Sequence, residues 1–289
     1  MITTLALLSQ LSAAPLVQLG SFDSQGVKIH YATVGEGEAI VLIHGWMSDA
    51  TMWGRDSAGN PKLSPLEGFK IIALDCRGHG KSDKPHEVSA YGELMATDVV
   101  RLLDHLKIDR AHLVGYSMGA FIAGSVVANH PKRVNSVVYG GQVPLVEGAP
   151  SSGSKEAEIF ANAVEANDLA AYLMEVAPSG RTKPTRPQAE VLVKFMFDGK
   201  DPKALAAAGL SLDNLQVQEK ALIRAQVPAL FIYGSKESDH LKARVADLRK
   251  KLTKTEEVVV DGADHVTALG RKEFGTSLVQ FIQKHKTKP

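Results

Sequence analysis

Cysteine is nearly missing from this chain of 289 residues. With Cys76 alone, no intramolecular disulfide can form and no CxxC or Cys/His metal cluster exists. Excess charge of one sign is missing too. The formal net charge is +1, so no strong field draws nucleic acid or an anionic membrane surface. No apolar run reaches the roughly 18 residues of a membrane-spanning helix. No repeat with a period of about 20 to 50 residues is visible, which excludes solenoids and propellers. The N-terminus also lacks charge, since Asp23 is the first ionisable side chain. Residues 1–15 combine a short apolar run, Leu5 to Leu8, with the small residues Ser12, Ala13 and Ala14, as an export leader does, but without its basic start. Export is the favoured expectation; a cytoplasmic chain with a frayed N-terminus is the alternative.

What is present is the composition of a soluble globule, 44% hydrophobic and 22% charged, in a chain long enough to bury a sizeable core. The stretch that organises it is Gly115-Tyr116-Ser117-Met118-Gly119-Ala120. An apolar run, Ala111 to Val114, precedes it, and a helix-like run to Asn129 follows. Strand, sharp turn and helix around G-x-S-x-G make a nucleophile elbow. So tight a turn strains the serine backbone and leaves no room for neighbouring side chains, which is what Gly115 and Gly119 provide. The helix that follows directs its first amides and its positive dipole end at Ser117, so an oxyanion could be stabilised there.

The rest of the chain alternates. Leu16 to Phe22 and Val27 to Val34 read as an antiparallel pair at a sheet edge. Ile40–Ile43 and Ile71–Leu74 are continuous apolar runs of the kind found in strands buried on both faces. Met95, Val99, Leu102, Leu103 and Leu106 mark a helix, and Val134 to Tyr139 the next strand. From Val143 to Leu215 the alternation breaks into helices: one over Ala157 to Val176, one opened by a Thr185/Gln188 capping box, and one opened by Asp201-Pro202. Alternation resumes with a strand at Ala229–Tyr233, a basic helix over Leu241–Leu252, a strand at Val258–Val260 and a closing amphipathic helix through Phe274 and Ile282. The expected organisation is a core of residues 16–142 and 216–289 with a helical insertion at 143–215. An insertion at the C-terminal edge of such a sheet is a candidate lid over the ligand crevice, with extra surface helices as the alternative.

A serine nucleophile needs a base, an acid and oxyanion donors. On elbows of this kind the base and acid follow in the order Ser, Asp/Glu, His. His265 lies just after the last strand and is the candidate base. Gly234-Ser235-Lys236-Glu237-Ser238-Asp239, after the preceding strand, offers two carboxylates that could orient the imidazole. Glu237 is preferred and Asp239 is the alternative. The amides of Trp46, after His44-Gly45, and of Met118 are the candidate oxyanion donors. His44 and His79 are expected to hold loops, and Cys76 to pack against the sheet.

These motifs, His44-Gly45-Trp46, Asp75 through Ser82, Gly115 through Ala120, Pro131 through Val134, Pro228 through Gly234 and Gly262 through His265, together resemble the α/β-hydrolase superfamily from about Gly20 to Lys284. The resemblance implies a mostly parallel sheet of about eight strands with helices on both faces, a helical cap and a Ser-acid-His triad. The family most often carries Asp where Glu237 stands. The His-Gly-Trp start is similar to epoxide hydrolases and haloalkane dehalogenases, but those carry Asp at the elbow, and Ser117 points instead to acyl transfer to water. The expected activity is hydrolysis of a small-molecule carboxylic ester, with no metal or organic cofactor and no nucleic-acid partner. Lactone opening, C–C bond hydrolysis or perhydrolysis on the same residues, and a receptor without turnover, are the alternatives. The oligomeric state stays open.

Overall fold

The apolar runs assemble into one eight-stranded sheet in the computed structural model, which describes residues 16–148, 154–176 and 182–287. The expected leader at residues 1–15 lies outside the described residues. In chain order the strands are β1 (Gln18–Asp23), β2 (Lys28–Val34), β3 (Glu38–Ile43), β4 (Phe69–Leu74), β5 (Ala111–Tyr116), β6 (Val134–Gly140), β7 (Ala229–Gly234) and β8 (Thr255–Val260). Their spatial order is β1-β2-β4-β3-β5-β6-β7-β8. β1 pairs antiparallel with β2, β2 antiparallel with β4, and every later pairing is parallel. Only β2 therefore runs against the others.

The period-2 geometry of a strand sends alternate residues to opposite faces, and here both faces are covered. Val41, Ile43, Phe231 and Tyr233 share one core with α1 (Glu93–His105), α2 (Met118–Asn129) and α8 (Asp239–Lys251). Ile40, Leu42, Leu230 and Ile232 share the other with α9 (Lys272–Lys284). The central strands β3, β5 and β7 are apolar for most of their length because neither face meets water, whereas the edge strands β1 and β8 are partly exposed and mixed in composition.

The order β4-β3-β5 reverses direction at β3, so the loops after β3 and β5 leave the sheet edge side by side. That crevice is where α/β sheets bind ligands. Between β6 and β7 the chain forms α3 (Ser154–Glu165), α4 (Leu169–Glu175), α5 (Arg186–Met196), α6 (Pro202–Leu210) and α7 (Glu219–Ala225). Phe160, Tyr172, Leu173, Phe197 and Leu205 give α3 to α6 a core of their own, against which Trp46 and Met47 also pack.

Two helices differ from expectation. The helix expected over Ala157–Val176 is two helices. Asn167 adopts a left-handed φ of 53° and the Asp168 side chain accepts the Ala171 N–H, stopping one helix and capping the next. The helix expected from Leu241 starts at Asp239, because Ser238 caps it by accepting the Leu241 N–H at 3.2 Å. The Thr185/Gln188 capping box and the Asp201 N-cap with Pro202 in the first turn are both present.

Candidate active site

Ser117 stands between the end of β5 and the start of α2 at φ 56° and ψ −119°. A non-glycine residue with that backbone is strained, and its surroundings hold it there. The Ser117 N–H donates to the Gly140 carbonyl at 2.8 Å. A Cβ on Gly115 would come within 2.0 Å of the Gly119 carbonyl oxygen, and one on Gly119 within 2.0 Å of the Ile43 oxygen. Both glycines are therefore demanded by close backbone approach.

His265 and Glu237 arrive from the loops after β8 and β7. The pairing of β6 with β7 and of β7 with β8 sets these loops beside the β5 elbow. His265 Nε2 is 3.0 Å from Ser117 Oγ, and His265 Nδ1 is 2.7 Å from Glu237 Oε1. The carboxylate can only accept, so Nδ1–H donates to it and Nε2 is left to accept from the serine hydroxyl. The Glu237 side chain is 9% exposed and the imidazole 35%. Asp239 is not brought to His265. It occupies the first turn of α8 with its side chain fully exposed, 3.6 Å from Lys242 Nζ.

The loop after β3 lies over the serine: a Cβ on Gly45 would be 3.9 Å from Ser117 Oγ. The next residue is Trp46, whose N–H has no acceptor among the described residues. The Met118 N–H opens α2, where helix geometry supplies no acceptor either. His44 anchors this loop. It is fully buried, with Nδ1 2.8 Å from the Gly45 carbonyl oxygen and Nε2 2.9 Å from the Cys76 amide nitrogen. Donating at one nitrogen and accepting at the other requires the neutral ring, and burial lowers its pKa in the same direction. The His79 ring packs against it, tilted by 58° with centroids 5.1 Å apart, donates to the Arg77 carbonyl, and has its pKa pushed down to about 3 by burial. Asp75 accepts the Ala50 and Lys81 amides at 2.8 Å each and ties the neighbouring loops together. Cys76 is buried, and burial raises its thiol pKa well above the ordinary value, so it packs as a hydrophobe.

Sequence reasoning passed over one residue beside the elbow. The Tyr116 hydroxyl donates to the His265 backbone carbonyl at 2.6 Å, and its ring lies 5.5 Å from the imidazole. Glycine at 140 and 141 makes the space: a Cβ at either position would come within 3.1 Å of the Tyr116 ring or closer. Tyr116 stood in the G-x-S-x-G motif and Gly140-Gly141 after the next strand, but only the fold joins them. Among the described residues, no group of three or more His, Cys, Asp or Glu side chains could hold a metal ion, and no helix is long and apolar enough to cross a membrane.

A family model for the alpha/beta hydrolase fold matches residues 38–271. Over 253 residues the chain is 29% identical to the dihydrolipoyllysine-residue acetyltransferase component of the acetoin cleaving system of Pseudomonas putida, covering 86% of this chain and 64% of that protein. It is 35% identical over 147 residues to a 2-hydroxy-6-oxononadienedioate/2-hydroxy-6-oxononatrienedioate hydrolase of the same organism, covering 48% of this chain and 49% of that one. The chain thus spans between 49% and 64% of the length of these curated relatives. A solved N-acyl homoserine lactone degrading enzyme is similar at 28% identity and a TM-score of 0.65, over 90% of this chain and 99% of that one.

Proposed function

The chain belongs to the α/β-hydrolase family, and from that membership we propose that it is a serine hydrolase cleaving small carboxylic esters through an acyl-enzyme. The observation that carries the proposal is the hydrogen-bonded series from Ser117 Oγ through the His265 imidazole to Glu237, at 3.0 and 2.7 Å. Family membership alone would not carry it, because one fold hosts many reactions.

His265 Nε2 takes the hydroxyl proton as Ser117 Oγ bonds to the ester carbonyl carbon. The carbonyl oxygen becomes an oxyanion, which the Trp46 and Met118 amides stabilise; one such donor is worth about 2.7–4 kcal/mol in the transition state. The Glu237 carboxylate orients the ring and stabilises the imidazolium. Collapse of the adduct expels the alkoxide, which takes the proton from His265. The ring then removes a proton from water as it attacks the acyl-enzyme. The acid leaves, and Ser117 regains its proton. Helices α3 to α6 act as a cap over this site, and the apolar side chains of Trp46 and Met47, which pack against them, favour an uncharged acyl group.

The likeness to the N-acyl homoserine lactone degrading enzyme supports the same chemistry, since a lactone is a cyclic ester. The likeness to the 2-hydroxy-6-oxononadienedioate hydrolase favours a second reading, hydrolysis of a C–C bond beside a ketone by the same three residues. A panel of p-nitrophenyl acyl esters, acyl lactones and vinylogous 1,5-diketones separates the readings. Wild type is expected to turn over the esters. Ser117→Ala is expected to abolish turnover with the melting temperature unchanged. Ester hydrolysis at the wild-type rate by Ser117→Ala would sink the proposal.

A further inference from the structure

The loop beside Ser117 contains a second strained residue. Met47 adopts φ 61°, and the Ser48 N–H donates to the Gly45 carbonyl at 3.2 Å, closing a turn in which Met47 is third. Positive φ at that place belongs to a type II turn, where Gly or Asn fits and a longer side chain is strained. The same turn carries the Trp46 N–H. If Met47 relaxed to negative φ, the turn would open and the Trp46 amide would swing with it.

Two groups between β6 and β7 hold the turn closed. Lys200, half-buried just before the α6 N-cap, donates from Nζ to the Met47 carbonyl at 2.8 Å. Trp46 Nε1 donates to the Leu205 carbonyl within α6 at 2.8 Å. The Trp46 ring lies so close to α6 that a Cβ on Gly209 would be 2.5 Å from its Cζ2. The Lys200 contact acts directly on the strained residue. It is charge-assisted and sheltered, hence stronger than a neutral hydrogen bond in water. Burial lowers the Lys200 pKa while the Asp49 carboxylate raises it.

We propose that Lys200 is a positioning residue for catalysis: its ammonium holds the Met47 carbonyl, keeps the Gly45–Ser48 turn in its strained form, and so aims the Trp46 amide at the oxyanion. The proposal rests on the serine-hydrolase reading. Because Lys200 belongs to the cap, the oxyanion site is complete only when the cap is docked.

The test is a mutant cycle between Lys200 and Met47, read as kcat and KM on a p-nitrophenyl ester and as the rate of fluorophosphonate labelling at Ser117. Lys200→Met should lower kcat about 10- to 100-fold with KM within about threefold, less than the 10²–10³ for loss of a whole donor. Lys200→Arg, which keeps a cationic donor, should restore kcat to within about threefold. Glycine takes positive φ without strain, so in a Met47→Gly background Lys200→Met should cost less than about threefold. A purely structural lysine would not show that relief. If Lys200→Met does not fold, Lys200→Ala, which also removes the donor, carries the same comparison. Labelled wild type with kcat unchanged in Lys200→Met overturns the proposal alone, as does a loss that Met47→Gly fails to relieve. Wild type that does not label at Ser117 overturns the serine-hydrolase reading and this inference with it.

Discussion

Replacing Glu237 by Gln keeps the side-chain volume and removes one charge, so it isolates what the carboxylate does. Glu237 Oε1 is 2.7 Å from His265 Nδ1, and the side chain is 9% exposed. As Ser117 attacks, the ring gains a proton and becomes a cation beside that carboxylate. Two unit charges about 4 Å apart attract by about 4 kcal/mol at the effective dielectric of about 20 suited to such sites. The attraction exists mainly in the transition state, so its loss should fall on kcat, by about 10³-fold. The neutral amide can also donate to Nδ1 and impose the wrong tautomer, which acts in the same direction. The assay is kcat and KM on a p-nitrophenyl ester, with thermal unfolding to check the fold. Asp239→Asn should change kcat less than about twofold, because the Asp239 side chain projects into solvent from the start of α8. Glu237→Gln within threefold of wild type, or Asp239→Asn falling as far as Glu237→Gln, would refute the reasoning.

Tyr116→Phe removes the 2.6 Å hydrogen bond to the His265 carbonyl. It should lower kcat about 3- to 10-fold with KM nearly unchanged, since one hydrogen bond is worth about 0.5–1.5 kcal/mol; steady-state kinetics on the same ester check it. Gly119→Ala drives a Cβ to 2.0 Å from the Ile43 carbonyl oxygen, a backbone atom that cannot step aside. It should destabilise by about 3 kcal/mol or more and lower the melting temperature by about 6 °C or more, seen by calorimetry. Stability should fall on acidification. Burial holds the folded-state pKa of His79 down to about 3 and that of His44 also below the ordinary 6.5, so below pH 6.5 the unfolded chain binds protons that the folded one does not. Each such ring contributes stability that is full above about 6.5 and is lost as pH falls toward its folded value, at up to about 1.4 kcal/mol per unit. Urea unfolding at pH 7 and 5 should show this slope, and His79→Gln should reduce it; equal slopes would count against the neutral buried ring.

The centre of the sheet was legible because β3, β4, β5 and β7 carry short apolar runs, and a strand buried on both faces leaves that trace. The elbow was legible because backbone contact admits only glycine at 115 and 119, so the constraint is written as residue identity. For the carboxylate, Glu237 was preferred but Asp239 stayed open as the alternative. Which of Glu237 and Asp239 faces His265 depends on where α8 begins, and that turns on Ser238 capping it. Local signals also misjudged the run from Ala157 to Val176, where helix-forming residues continue past Asn167 but the Asp168 cap restarts the helix. The contacts between the Trp46–Met47 turn and Leu205 and Lys200 left no trace, because they join residues 159 and 153 positions apart. A type II turn normally signals itself by Gly at its third position; here Met47 stands there, held by tertiary contacts.

The most direct test of the account is fluorophosphonate labelling of wild type and His265→Ala, with the modified peptide mapped by mass spectrometry. The reagent bonds only to a serine whose hydroxyl is activated and whose oxyanion site can receive the phosphonyl oxygen. The account predicts rapid labelling of wild type at Ser117 alone, slowed at least about 10³-fold in His265→Ala. Folded wild type that stays unlabelled, or labelling at Ser117 that does not depend on His265, would contradict it.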